Sequence, residues 1–450
     1  MSITTFQPTK IKKYARLFIM SQDNCILREL NLKDKNIHFT DNEAGEWNYF
    51  DYRGRGDKRH KCLIYTANLT YSVSRCSDCG FRDCVEHWGW TSTEMRLTGT
   101  SLWDVRLALR KQRFHCKNCG NTFTAASSDF EKNCQISRNT KVIVKQNLNE
   151  DMMTEKTVAK HLHISPNSVQ RIEYDAIYEG GQYKYQYNFK QQLPEAISMD
   201  EFRSANDQFS FIWCDATSIK QFEVLPNRLT KTIKQYFLGF SLANRKRVKH
   251  VVMDMNAQYA SFIKFLFPNA EIIIDGFHIA QRIGNALDSV RKNIQKRIDD
   301  KQNNRAYKIM KSQWKIFHMM YEDLEKTKPY YMRGINEYLT QEQAIGIRLS
   351  TKYPEFGQVW TAYQEIMKAM HNKDLSGFED IITHYTIMGN DMDSAISTFA
   401  KNYKGIQNSI TSNYSNGRVE GMNHKIKQLK RNSCGYKNMA HLLWRIRQIF

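Results

Sequence analysis

A chain of 450 residues with 41% hydrophobic content is long enough for about three domains with cores of their own, which excludes a disordered tail. Lysine and arginine outnumber aspartate and glutamate by 66 to 46, a net charge of +20, so attraction to a polyanion is expected, nucleic acid before all others. The basic residues are spread along the chain and interleaved with tyrosine and phenylalanine, whereas a membrane-surface protein concentrates them on one amphipathic helix. No apolar core follows a basic start near Met1, and no run of about 18 apolar residues occurs anywhere. A cytoplasmic protein with no membrane partner is the expectation.

Residues 1–70 alternate weakly around Lys61-Cys62-Leu63-Ile64-Tyr65 and carry no chemical signal, so they read as a small lead-in. Residues 71–135 hold Cys76-Ser77-Asp78-Cys79 and Cys116-Lys117-Asn118-Cys119, each pair followed by a glycine. Two knuckle turns of this kind bring four thiolates into a tetrahedron, the closed arrangement of a structural Zn²⁺ site. Cys84, His87 and His115 lie near enough in sequence to substitute for a ligand. A purely structural staple and a DNA-contacting finger are both compatible with this pattern.

Within residues 136–180, the stretch 155–172 places Val158, Leu162, Ile164, Val169 and Ile172 where a helix-turn-helix buries its core, with Ala159 at the close crossing. Ser165 is positioned to cap the second helix and Pro166 to begin it. Asn167, Ser168, Gln170 and Arg171 would then turn outward toward a major groove. His163 stands where such a turn usually has glycine.

A tyrosine- and glutamine-rich linker over 180–192 precedes a switch to strand patterns at 196–200, 209–215 and 221–225, which read as an antiparallel meander. A helix around 232–240, a strand ending at Asp254, a helix over 257–267 and a strand over 271–275 follow. Strand, crossover helix and strand require parallel pairing, so Asp254 and Asp275 should emerge at one sheet edge. Residues 280–408 look almost entirely helical. Trp314 and Trp360 there suit either a helical core or stacking on unpaired bases.

The last helix repeats Val419, Met422, Ile426 and Leu429 as an apolar stripe, with Glu420 beside it and Ser415 or Asn416 as its cap. Arg418, Lys425, Lys427, Lys430 and Arg431 surround that glutamate with positive charge suited to a phosphate backbone. Asp200, Asp254 and Glu420 make the carboxylate trio that Mg²⁺ or Mn²⁺ would neutralise, and two such ions serve phosphoryl transfer. Asp215 and Asp275 also end apolar strands and are rivals that rank below the trio; Asp275 leads into Gly276-Phe277-His278, where His278 could orient a phosphate or a metal-bound water.

From about residue 60 onward the chain resembles the ISL-three family of insertion-sequence transposases, a branch of the DDE transposases. The resemblance rests on the paired knuckles, the helix-turn-helix, Met199-Asp200-Glu201, Val252-Met253-Asp254-Met255 with Gln258-Tyr259, Pro268-Asn269-Ala270, Asp275-Gly276-Phe277-His278 and Asn416-Gly417-Arg418-Val419-Glu420-Gly421-Met422-Asn423. It implies a multidomain α/β protein whose RNase H-like catalytic core, residues 195–280 and 409–450, is interrupted by an all-α insertion at 281–408. Asp200, Asp254 and Glu420 would be its metal-binding triad; Asp275 and His278 stay, on the residue pattern alone, candidates for an accessory role.

The implied activity is binding of terminal inverted repeats, cleavage there and transfer of the ends to target DNA, with double-stranded DNA as partner. Bringing two ends together predicts a homodimer on DNA, nucleoid-associated while bound. The competing expectation is a catalytically silent DNA-binding regulator or domesticated relative.

Overall fold

The computed structural model describes residues 22–40, 45–50, 59–99, 103–150, 153–255, 257–299, 301, 304–346 and 353–450. The chain divides into two compact units, residues 1–185 and 186–448. Most of the start of the lead-in, residues 1–21, lies outside the described residues.

In the first unit, a sheet runs β1-β3-β5-β4, with β2 beside β3 and β6 beside β5. The strands are β1 (Ile37–Phe39), β2 (Gly45–Phe50), β3 (Arg59–Leu69), β4 (Val85–Arg96), β5 (Asp104–Cys116) and β6 (Thr122–Thr124). Alternate residues Val105, Leu107 and Leu109 of β5 enter the core with Leu69, Met95 and Phe114, the two-residue period of a strand with one packed face. The boundary expected at residue 70 therefore falls inside one sheet, because β3 pairs in parallel with β5 from Cys62↔Asp104 to Leu69↔Lys111. That pairing joins segments about forty residues apart, which a short local alternation does not reveal. Helix α1 (Gln22–Glu29) adds Leu27 to the same core.

Three helices complete this unit: α2 (Arg138–Asn149), α3 (Glu155–His161) and α4 (Pro166–Ile177). The Ser137, Thr154 and Ser165 side chains each accept the third backbone N–H of the helix they start, and Pro166 opens α4. Val158, Ala159, Leu162, Ile164, Val169 and Ile172 are buried between them. His163 turns the chain from α3 to α4 at φ 52°, a left-handed conformation that glycine adopts more cheaply. A small hairpin, β7 (Tyr178–Glu179) with β8 (Gln182–Tyr183), follows α4.

The second unit is built on a sheet ordered β11-β10-β9-β12-β13. Strands β9 (Ala196–Arg203), β10 (Phe209–Asp215) and β11 (Phe222–Leu225) form an antiparallel meander. Strands β12 (His250–Met253) and β13 (Glu271–Ile274) continue it in parallel with β9. One face carries Ile197, Met199, Phe211, Trp213, Val251 and Met253 against α5 (Thr230–Leu238) and α7 (Ala257–Leu266), with the short α6 (Leu242–Arg245) between those helices in sequence. The other face is small and thin, with Ala196, Val252 and Ile273 under Tyr414.

A long helix α8 (Gly276–Arg297) leads into the insertion, which comprises α9 (Arg305–Ser312), α10 (Gln341–Ile345), α11 (Pro354–Asn372), α12 (Leu375–His384), α13 (Asp391–Lys401) and α14 (Tyr403–Thr411). Phe317, Phe356, Phe378 and Phe399 sit in its core. The segment is less purely helical than its periodicity suggests, because β14 (Tyr330–Met332) and β15 (Glu337–Leu339) form a hairpin and residues 314–318 a 3₁₀ turn. Trp360 donates its indole N–H to the Phe317 carbonyl at 3.1 Å, a packing role, whereas Trp314 is 41% exposed. The chain returns to the sheet through α15 (Gly417–Asn432) and ends with α16 (Met439–Ile449). Among the described residues no helix is long and apolar enough to cross a membrane.

Candidate functional site

Strand pleating decides which acids can meet. Asp200 shares its parity on β9 with Ala196 and Ser198, so it rises from the thin face of the sheet. On β12 and β13 the same face is marked by Val252 and Ile273, two residues before Asp254 and Asp275. The parallel registers Val252↔Ser198 and Met253↔Ile274, carried one step past the strand ends, set Asp254 level with both Asp200 and Asp275. Three carboxylates thus stand in a row on neighbouring strands, roughly 4.8 Å apart strand to strand.

Asp215 has the opposite parity, pairs with Ile197 of the packed face, and spends its oxygens on Thr217 and Ser218. It ends a strand and holds a turn. Glu201 likewise points to the packed face, where the Tyr259 hydroxyl and Arg228 hold it. The Gln258 side chain lies outside the described ones.

Helix α15 closes the row from above. Its apolar stripe of Val419, Met422, Ile426 and Leu429 is buried, and a second stripe of Asn416, Glu420 and Asn423 follows the i, i+4, i+7 spacing of one helix face. At one end of that stripe the Asn416 backbone N–H donates to Asp275 Oδ1 at 3.0 Å, and its side chain donates to the Met199 carbonyl at 3.3 Å. At the other end the Asn423 side-chain amide donates to Asp200 Oδ2 at 2.6 Å. Glu420 lies between the two on that stripe. The Asn416 side chain therefore does not cap α15; it is occupied by the sheet.

Ligand atoms of Asp275, His278 and Glu420 all lie within 4.8 Å of one another. Burial pushes the Asp200 carboxyl up to about 6, and the neighbouring Asp254 charge adds to this, while the Glu201 N–H, His278 and Asn423 oppose it. A carboxylate row held this closely calls for positive charge. Asp254 and His278 also border a cavity of about 480 Å³ lined by Gln281, Arg282, Asn285, Ser289 and Asp391.

Of the five basic side chains expected along α15, Arg418 donates to the Ala216 carbonyl at 3.1 Å and Lys430 to the Arg203 carbonyl at 2.7 Å. The Lys425 ammonium sits 5.4 Å from the Phe450 ring centre. Lys427 and Arg431 are exposed. Asn416 and Asn423 were missed by sequence reasoning, although their spacing about Glu420 is written in the motif itself.

The first unit holds a separate cluster. Cys76, Cys79, Cys116 and Cys119 converge, with 3.8 Å between the Cys76 and Cys119 sulfurs and 3.7 Å between those of Cys79 and Cys116. A tetrahedron of sulfurs about 2.3 Å from zinc has edges of about 3.8 Å, so these residues could hold that ion. The two knuckles repeat each other. In each, the first cysteine N–H bonds the carbonyl five residues on, and the glycine N–H returns to that cysteine's carbonyl at 3.1 and 2.8 Å. Gly80 and Gly120 take φ of 73° and 72°, which L side chains adopt only with strain.

Backbone N–H groups within the knuckles, Phe81 toward Cys79 and Cys119 toward Cys116, hold those two thiols below their usual range. Cys84 approaches Cys116 at 3.3 Å, whereas His115 is engaged by Glu86 and His87 lies against Trp90.

On α4, Asn167, Gln170 and Arg171 are exposed as expected. Ser168 is not. It is only 9% exposed, and its hydroxyl bonds the capping Ser165 hydroxyl at 2.8 Å, so the cap draws it inward. Arg171, with Arg96, Lys111, Lys132, Lys156 and Lys160, lines a broad groove of about 2710 Å³ within this unit.

Comparison with known proteins places this architecture. The ISL-three family model, described as transposase, matches residues 197–446. The transposase for insertion sequence element IS1001 of Bordetella parapertussis is 22% identical over 393 residues, which covers 85% of this chain and 90% of that protein. A Lactococcus lactis subsp. lactis protein named ATP-dependent protease is 29% identical over 122 residues, 27% of this chain; the chain spans only 39% of that relative's length. The family match takes in more than half of the chain, from β9 and its acid row to α15 and Glu420, and on that match the chain belongs to the ISL-three family of transposases.

Proposed function

We propose that this protein cleaves the ends of an insertion sequence and joins them to target DNA by divalent-metal-dependent phosphoryl transfer, with Asp200, Asp254 and Glu420 as the principal carboxylates. The observation that carries the reading is the level row of acids on three neighbouring strands, closed by a helix whose one polar stripe reaches both ends of the row. The order of the sheet, a three-stranded meander followed by two parallel strands, supports an RNase H-like core.

The row fits cations through its donor chemistry, all hard carboxylate oxygens apart from His278. When bound, such ions supply charge neutralisation, activation of an attacking hydroxyl and stabilisation of the departing oxygen. The chain's own residues do the rest. Asn423 and the Glu201 N–H orient the Asp200 oxygens, and Asn416 orients Asp275. Lys427 and Arg431 offer charge to a phosphate backbone running along α15.

In the first unit, α3 and α4 with their turn at His163 read as a helix-turn-helix, with Asn167, Gln170 and Arg171 toward the major groove of an inverted repeat. The knuckles read as a structural zinc site. Two protomers would hold two DNA ends.

The test incubates purified protein with a plasmid carrying the element's ends, with Mg²⁺ or EDTA, beside Glu420→Gln. Mg²⁺-dependent cleavage at the ends, absent in the variant although DNA binding is retained, supports the reading. Binding without cleavage in every lane favours the regulator, and cleavage by Glu420→Gln removes Glu420 from the chemistry.

A further inference from the structure

We propose that Asp275, His278 and Glu420 form a mixed nitrogen-and-oxygen cation site that selects Mn²⁺ over Mg²⁺, distinct from the oxygen-only pair of Asp200 and Asp254. The proposal deepens the catalytic reading and rests on it in one respect, the use of Glu420 as a ligand.

Asp275 begins α8, where an aspartate ordinarily caps the helix, yet its side chain makes no capping hydrogen bond. The residue is 3% exposed; Oδ1 accepts the Asn416 N–H, and Oδ2 is buried with no hydrogen-bond partner. A buried carboxylate oxygen left without a donor is costly, and a bound cation removes that cost. His278 stands three residues along the same helix and so projects over the same side. Glu420 comes from α15 opposite, and one ligand atom from each residue falls within the 4.8 Å grouping.

Two donors on one ion at about 2.1 Å are at most roughly 4.2 Å apart, so small side-chain rotations complete the site. Imidazole decides the selectivity. Mg²⁺ takes hard oxygen donors and keeps its waters, whereas first-row transition ions accept imidazole readily.

The experiment uses full-length, zinc-replete protein without DNA. Mn²⁺ binding is followed by loss of the free-ion EPR signal, and the bound ion by pulsed EPR for nitrogen modulation. The expected result is a Mn²⁺ class with nitrogen modulation that a large excess of Mg²⁺ displaces poorly. His278→Gln should erase the modulation, and Asp275→Asn should weaken this class by at least roughly tenfold. Asp200→Asn should leave it in place.

Bound Mn²⁺ without nitrogen modulation in the unmodified protein overturns the proposal, and so does a His278→Gln variant that binds as the parent does. Neither outcome touches the cleavage assay, so the catalytic reading stands or falls separately.

Discussion

The two clusters that could hold metal ions among the described residues are assembled on opposite plans. The four cysteines come from two copies of one local turn, each with its ligands three residues apart and its own glycine. The proposed acid site takes Asp200, Asp254, Asp275 and Glu420 from four elements, and the sheet register and one helix bring together residues as far apart as 200 and 423. The first cluster is a property of short peptides stapled together, the second of a whole fold. Their failure modes should differ accordingly.

The largest contrast comes from removing one ligand of each. Cys116→Ser takes a donor from a closed four-ligand site, so zinc content measured by mass spectrometry should fall to background, and the first unit should lose protease resistance around both knuckles. The unit of residues 186–448 should keep its Mn²⁺ binding. Asp200→Asn should spare the first unit and the Mn²⁺ class and strike the reaction alone. Zinc content and DNA binding should stay at parental levels, while end cleavage drops by at least roughly 1,000-fold, about 4 kcal/mol of transition-state stabilisation. If Asp200→Asn also lost DNA binding in a gel-shift assay, the acid row would be serving the fold and not the reaction.

Legibility in the sequence follows the same division. Cysteine spacing alone sufficed for the knuckles because the chemistry is local. The acid row was half legible: apolar runs ending in Asp at 254 and 275 mark strand ends, whereas the strand expected over 196–200 continues past Asp200 to Arg203, and parity along 209–215 could have set Asp215 aside, since it shares the face of Phe211 and Trp213. What sequence reasoning missed is what only tertiary register supplies. The pattern offers Ser415 or Asn416 as a helix cap, but the Asn416 side chain binds the Met199 carbonyl; it turns Ser168 outward, but the cap at Ser165 claims it. The strand over 59–69 was passed over because its partner β5 lies far along the chain.

A smaller effect tests whether the helix stripe is part of the site. Asn423→Ala removes the amide that donates to Asp200 Oδ2 and leaves the four acids in place. Outer hydrogen bonds to metal ligands typically matter by 10–100-fold, so cleavage should fall by roughly tenfold with the melting temperature nearly unchanged. A double variant with Asp200→Asn should be no worse than Asp200→Asn alone, because the two act as one unit.

The smallest effect separates the two plans through their glycines. An added Cβ at Gly80, Gly120 or Gly421 would meet nothing within 4 Å. For the knuckle pair the backbone explains the residue, since φ is 73° and 72°, and alanine there should destabilise the turn. Gly421 has no such reason. It lies inside α15, exposed, directly after Glu420, where glycine costs a helix about 0.8 kcal/mol relative to alanine. Gly421→Ala should therefore raise the melting temperature of the protein by about 2 °C in a thermal scan. The same variant should cut cleavage several-fold if the open space above Glu420 is where the DNA backbone comes down. Higher stability with undiminished cleavage would move the DNA path away from this turn of α15, and would leave Gly421 without a role in the site.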